Sequence, residues 1–227
     1  MSDSLICVSI AEADSFNLAN EIDQALLAGS DIIHLDVANG QKLAIKFGLS
    51  FGKVLREHVR NSFLSVEIKI ATDHSDILVL AEAGVDYISF RPEVMDDAES
   101  IIKTIKTYGS KAGISLDIES EIETHSMLFD QLDFITLSLD EETTTDSCIS
   151  RADLDRISHV RDMLIEHQSG LSICVAGRIT PENVSALVWL GVKRFIIGQT
   201  LFESSDYYTT IARLKMTIKS CEDRRDV

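Results

Sequence analysis

The sequence predicts an α/β fold, a single (β/α)8 TIM barrel spanning residues 1–227. Three observations predict it. Strand-like and helix-like segments alternate eight times over about 220 residues, the pattern of a parallel sheet covered by helices. Eight units at this length favour a closed barrel over an open doubly wound sheet. No GxGxxG follows the first strand, so a dinucleotide-binding sheet has little support.

The elements run as follows. Residues 5–10 form a short apolar run. Asp14 can cap a helix whose apolar positions are Phe16, Ala19, Ile22, Ala25 and Leu26, ending near Gly29. Residues 32–37 read as the second strand and 51–59 as helix. Residues 63–70 are the third strand, and Asp73 or Ser75 opens a helix that Gly84 stops. The fourth strand covers 87–91, with a helix over 96–108. The fifth covers 112–118, with a weaker helix over 119–129, and the sixth covers 134–139. A polar loop, 140–150, leads into a helix over 151–167. The seventh strand is 171–175, and Pro181 suits the first turn of the next helix. The eighth strand is 194–197, and Asp206 begins a last helix to about residue 219.

Side chains alternate along a strand with a period of two. His34 and Asp36 therefore share a face, as do Glu67 with Lys69, Ser89 with Arg91, Ser115 with Asp117, and Thr136 with Ser138. The opposite parity is apolar: Val66 and Ile68, Ile88 and Phe90, Ile114 and Leu116, Ile135 and Leu137. A barrel filled only for packing would carry Val, Ile and Leu inside. Active sites in this fold gather at the C-terminal strand ends. The converging polar parity thus points to a small-molecule site centred on His34 and Asp36, whose burial is costly unless they bind something. The plainer alternatives are a hydrogen-bonded structural pair at His34–Asp36 and a mutually neutralised ion pair at Glu67–Lys69.

Composition narrows the partners. Of 227 residues 45% are hydrophobic and 26% charged, which suits one full core, and two prolines leave no obvious linker. A formal charge of −16 argues against nucleic acid or an anionic membrane surface, both of which need a basic face. Cys7, Cys148, Cys174 and Cys221 show no CxxC spacing; Cys7 and Cys174 sit in apolar runs and read as buried thiols. With no signal-like N-terminus and no run of about 18 apolar residues, the expectation is a soluble, cytoplasmic protein. Phe202 and Trp189 are expected to pack between helix and barrel.

Several segments in order resemble the ribulose-phosphate-binding barrel superfamily, most closely ribulose-phosphate 3-epimerase. Ser9-Ile-Ala-Glu-Ala-Asp14 is similar to SILSAD. His34-Leu-Asp-Val-Ala-Asn-Gly40 with Phe47-Gly48 is similar to HVDVMDG…FG, and Ala81-Glu-Ala-Gly84 with Asp86 to EAGAD. Gly177-Arg-Ile-Thr-Pro-Glu-Asn183 is similar to GGVNPEN, and Ile197-Gly-Gln-Thr-Leu-Phe202 to AGSAIF. The resemblance implies an enzyme that epimerises a phosphorylated sugar by metal-assisted proton transfer beside a ketose carbonyl. It implies a divalent ion (Zn, Mn, Fe or Mg) and a homo-oligomer.

In that family His and Asp on the second strand, His on the third and Asp on the seventh hold the metal, and the two aspartates exchange protons with opposite faces of C3. Here His34 and Asp36 match. Glu67 stands at the third-strand position and could still ligate through oxygen. Ala176 stands at the seventh-strand position, where it can neither ligate nor carry a proton. The expected metal ligands are therefore His34, Asp36 and Glu67, and the expected catalytic residues Asp36, Glu67 and Lys69. Glu12, Arg91, Gly177, Arg178, Gly198 and Gln199 are the expected substrate- and phosphate-binding residues. The sixth-strand NPGFGGQ loop is replaced by Glu141-Glu-Thr-Thr-Thr-Asp-Ser147.

A second resemblance is to hexulose-phosphate synthases and keto-gulonate-phosphate decarboxylases, which carry DxKxxD on the third strand and often VAGGI on the seventh. Glu67-Ile-Lys69 and Val175-Ala-Gly177 are similar; the second carboxylate falls one residue late, at Asp73. A lyase or decarboxylase, and a non-catalytic sugar-phosphate-binding relative, stand as alternatives.

Overall fold

The structure, a computed structural model, describes residues 4–37, 50–118, 120–139, 145 and 148–225. Eight parallel strands close in chain order: β1 (Leu5–Ser9), β2 (Ile32–Val37), β3 (Phe63–Ile68), β4 (Tyr87–Phe90), β5 (Lys111–Asp117), β6 (Phe134–Ser138), β7 (Ser172–Ala176) and β8 (Arg194–Ile197), with β8 returning to β1. The α-helices around them are α1 (Leu18–Leu27), α2 (Ser50–His58), α3 (His74–Glu82), α4 (Ala98–Thr107), α5 (Arg151–Glu166), α6 (Val184–Trp189), α7 (Gln199–Phe202) and α8 (Tyr207–Arg225). The predicted barrel is therefore the observed one. Residues Ala38–Gly40 and Phe47–Gly48 of the second motif lie outside the described residues, as does most of the loop over 140–150.

Parity works as the period of two requires. Val66, Ile68, Ile88, Phe90, Ile114 and Ile135 are fully buried in the layer between barrel and helices. The other parity fills the barrel. Its lower layer holds Cys7, Ile32 and Ile196 with Tyr87 packed against them. Beneath it the Arg194 guanidinium lies 4.5 Å from the Tyr87 ring centre and 4.1 Å from that of Phe134, and donates to Ser172 Oγ at 3.1 Å. Two aromatic faces offset part of the cost of burying that cation. Gly113 on β5 leaves room for the Phe134 ring, since a Cβ there would sit 2.4 Å from a ring carbon. Burial pushes the Cys7 and Cys174 thiols up, consistent with inert core residues.

Five local expectations are corrected. Asp14 does not cap α1: its carboxylate accepts from the Phe16 amide and the Asn17 side chain, closing a turn, so α1 starts only at Leu18. Phe16, expected on the helix's apolar face, is 99% exposed. The weak helix after β5 is a 3-10 helix, Ile122–Gln131. Thr124, His125 and Ser126 are poor helix formers, and Thr124 Oγ1 bonds the Glu121 carbonyl. Pro181 lies in the turn before α6: Asn183 Oδ1 accepts from the Thr180 amide, so the helix begins at Val184. Trp189 is half exposed, because α6 ends there and turns its last residue outward; Phe202 does pack on the core, edge-on to Tyr207.

Candidate active site

The site is built by the ends of β2 and β3. Their in-register parallel pairing sets His34 beside Ser65 and Asp36 beside Glu67. Lys69 follows β3, and its amide donates to the Val37 carbonyl at 2.8 Å, which fixes the root of its side chain. Its ammonium reaches back to Asp36 Oδ1 at 2.8 Å and Glu67 Oε1 at 3.3 Å. His34 Nε2 lies 3.7 Å from Asp36 Oδ1 and 3.5 Å from Glu67 Oε2, ion-pair rather than hydrogen-bond distances. The other ring nitrogen, Nδ1, is 3.1 Å from Ser65 Oγ. Asp36 Oδ2 accepts from Ser9 Oγ at 2.7 Å.

His34 and Glu67 are sealed from solvent, at 1% and 0% exposure, while Asp36 and the half-buried Lys69 reach the cavity. Burial alone would neutralise each of them. It works against the imidazolium, but the Asp36 and Glu67 carboxylates outweigh it and push His34 up to about 9. Burial would likewise raise both carboxylates. His34 and Lys69 hold Asp36 well below the usual carboxylate range, and Lys69 with His34 also holds Glu67 down. Lys69, between two carboxylates, is held protonated against its own burial. Two anions and two cations therefore balance.

Above this cluster a cavity of about 290 Å³ opens between the ends of β1, β2, β3, β6, β7 and β8. Asp36 and Lys69 form part of its wall, and Glu12 on the 3-10 helix Ile10–Glu12 forms another. Gly177, Arg178, Gly198 and Gln199 line it after β7 and β8. At Gly177 the backbone has φ +141°, and a Cβ would meet Leu139 Cβ at 3.0 Å, so the position favours glycine. At Gly198 a Cβ would lie 3.3 Å from the Ser9 carbonyl and 3.6 Å from Glu12 Cγ. Gln199 is turned toward Glu203, to which it donates at 2.8 Å.

Of the residues expected from the sequence, Asp36, Lys69, Glu12, Gly177, Arg178, Gly198 and Gln199 line this cavity, and His34 and Glu67 lie directly behind Asp36 and Lys69. Arg91 does not line it. Its guanidinium is turned to Asp117 on the adjacent strand end, with an N···O distance of 2.5 Å. Ser9 is a site residue that the sequence reading does not single out. It shares the inward parity of Cys7 on β1, and extending the parity comparison to the first strand would have found it.

His34, Asp36 and Glu67 offer donor atoms that all lie within 4.8 Å of one another, a group that could hold a metal ion. His34 Nε2 and both Glu67 oxygens are buried without a hydrogen-bond partner among the described residues, as ligand atoms would be. The Lys69 ammonium, however, already touches two of the three donors, and the fourth family position is Ala176. The ammonium stands between the Asp36 and Glu67 oxygens, in the place such an ion would have to take. As folded, the cluster does not fit a divalent ion beside Lys69.

Comparisons of sequence point to one family. Ribulose-phosphate 3-epimerase from Buchnera aphidicola subsp. Schizaphis graminum is 27% identical over 224 residues, covering 97% of each chain. The Escherichia coli K12 enzyme of the same name is 26% identical, covering 95% of this chain and 96% of its own. Among solved structures, KGPDC from Streptococcus mutans superposes with a TM-score of 0.77 at 14% identity, over 97% of this chain and 100% of its own. The 3-keto-L-gulonate-6-phosphate decarboxylase from Vibrio cholerae gives 0.73 at 17%, over 96% and 99%. At such identities these two establish the shared fold alone. A sequence model of the ribulose-phosphate 3 epimerase family matches residues 5–202, most of the chain, which therefore belongs to that family.

Proposed function

We propose that the protein is an epimerase-like isomerase of a phosphorylated ketose, moving a proton at the carbon beside the carbonyl. The observation that carries this reading is a carboxylate, Asp36, kept ionised at the wall of a cavity at the C-terminal barrel end in a member of this family. Asp36 takes the proton from C3. Its low basicity requires the substrate to be acidified, and the Lys69 ammonium does this by stabilising negative charge on the carbonyl oxygen as the enediolate forms. Glu67 and His34 hold Lys69 and Asp36 in place. Glu12 is the other carboxyl group among the described lining residues; in its acid form it returns a proton to C3, and exchange with solvent then resets Asp36 and Glu12. The phosphate end of the substrate lies toward Gly177, Arg178, Gly198 and Gln199, where the backbone can approach closely and Arg178 adds charge.

Proton NMR in D₂O against a panel of phosphorylated ketoses tests this. Deuterium at C3 together with the inverted sugar supports the reading; exchange without inversion leaves Asp36 as the sole working base. No exchange with any of the panel overturns it and leaves the non-catalytic sugar-phosphate binder. A lyase or decarboxylase is the second reading, favoured by Glu67-Ile-Lys69 on β3 and by Ala176, which offers no seventh-strand base. It requires release of formaldehyde or carbon dioxide in the same tubes.

A further inference from the structure

The position of Lys69 raises a question that family membership does not answer: which cation the carboxylates of this site hold. Asp36 Oδ1 and Glu67 Oε1 converge on one point, and the Lys69 ammonium stands there, 2.8 and 3.3 Å away. It is placed by the backbone, through the Lys69 amide on Val37 O, and its side chain is only 20% exposed. Nothing on β7 completes a metal shell, because Ala176 stands at the expected ligand position and the cavity wall beside it is Leu139 and Ile196. Among the described residues, His34 and Ser9 also stand beside these carboxylates.

We infer that the Lys69 ammonium is the resident cation of this site, standing in place of a divalent metal and excluding it, so that the protein is metal-independent. The inference rests on the reading of the site given under Proposed function only for its catalytic consequence; the cation exchange itself is a property of the folded chain. Lys69 supplies one positive charge and a directed N–H donor to the oxygen that becomes negative, and the chemistry needs no free coordination position.

The test is a metal titration of the full chain, purified with chelator and then dialysed free of it. Manganese(II) binding is read by calorimetry and cobalt(II) binding by its visible absorption. The wild-type protein is expected to show no saturable one-to-one binding. Lys69→Met, which removes the ammonium but keeps much of the side chain's bulk, is expected to bind one ion per chain at least about a hundredfold tighter than wild type. Lys69→Arg is expected to keep the ion out, and adding Glu67→Gln to Lys69→Met is expected to abolish the new binding, which locates it. One-to-one binding by the wild-type protein that the Glu67→Gln change removes would overturn the inference. So would a folded Lys69→Met variant that binds no metal. The wild-type arm decides alone if Lys69→Met fails to fold. A protein inactive on every sugar refutes the proposed function yet leaves the titration outcome standing, so the two failures are distinguishable.

Discussion

Replacing Glu67 by Gln tests whether the charge cluster is as tightly coupled as its geometry indicates. The side chain is fully buried, 3.3 Å from the Lys69 ammonium and 3.5 Å from His34 Nε2. At an effective dielectric of about 20, each contact contributes roughly 5 kcal/mol of attraction. Repulsion between Glu67 and Asp36 offsets a similar amount, so roughly one pair is left uncompensated when the charge goes. Removing one partner of a buried pair costs about 3–5 kcal/mol. Lys69 keeps its shorter contact to Asp36, which places the expected loss near the bottom of that range, about 3 kcal/mol. The assay is urea unfolding at neutral pH with chelator present, read as a lower midpoint at unchanged slope. A companion Lys69→Met change closes a double-mutant cycle. The double variant, left with His34 facing Asp36, should be less destabilised than the sum of the singles by at least about 1.5 kcal/mol. A loss under about 1 kcal/mol for Glu67→Gln, or strict additivity in the cycle, would refute a tightly coupled quartet.

Three further outcomes follow from the same structure. Gly113→Ala drives a methyl to within 2.4–2.6 Å of three Phe134 ring carbons and should destabilise the barrel by about 1–3 kcal/mol, seen as a lower urea midpoint that Phe134→Leu partly restores. Burial would raise the Asp133 carboxyl, but the Ala112 amide with Lys111 and Lys106 outweighs it and lowers the group in the folded state. Its contribution is thus present above the unfolded value, about 3.9, and lost as pH falls through the folded one, so Asp133→Asn should flatten the acid limb of a stability-against-pH profile below about pH 4. Ala176→Asp restores a carboxylate to the cavity wall on β7; inversion at C3 by NMR should rise by about a hundredfold if a second base limits the reaction, and an unchanged rate would assign that role to Glu12.

Much of this was legible in the sequence because the barrel reads out a period of two. Parity alone put His34, Asp36, Glu67, Ser89, Ser115 and Thr136 inside, and all are buried there. What parity cannot supply is register and the reach of long side chains. That Asp36 stands beside Glu67 depends on how β2 and β3 slide past each other, and that pairing brings Lys69 onto both carboxylates. Arg91 is not among the described lining residues for the same reason: its partner, Asp117, is supplied by the neighbouring strand and lies 26 positions away. Arg194 carries no signal in the sequence, because its role depends on rings from β4 and β6 meeting beneath the barrel. Asp14 misled because an Asp before an apolar stretch suits either a helix cap or a local turn, and the amide of Phe16 selected the turn.

The third strand is where this chain departs in chemistry from what its family resemblance implies. A His at position 67 would be a neutral ligand and would leave room for a dication beside His34 and Asp36. Glu67 instead adds an anion, and Lys69 two residues on adds the cation that balances it, on the same face by the period of two. The two differences compensate each other: either alone would strand a buried charge. A dication held by His34 would displace the imidazole proton and, with the Lys69 ammonium still in place, would leave one uncompensated positive charge among these groups. A developing enediolate adds only one negative charge, next to an ammonium already aimed at the cavity wall. The enediolate's charge forms beside the ammonium, whereas a metal would have to take the ammonium's place between the two carboxylates.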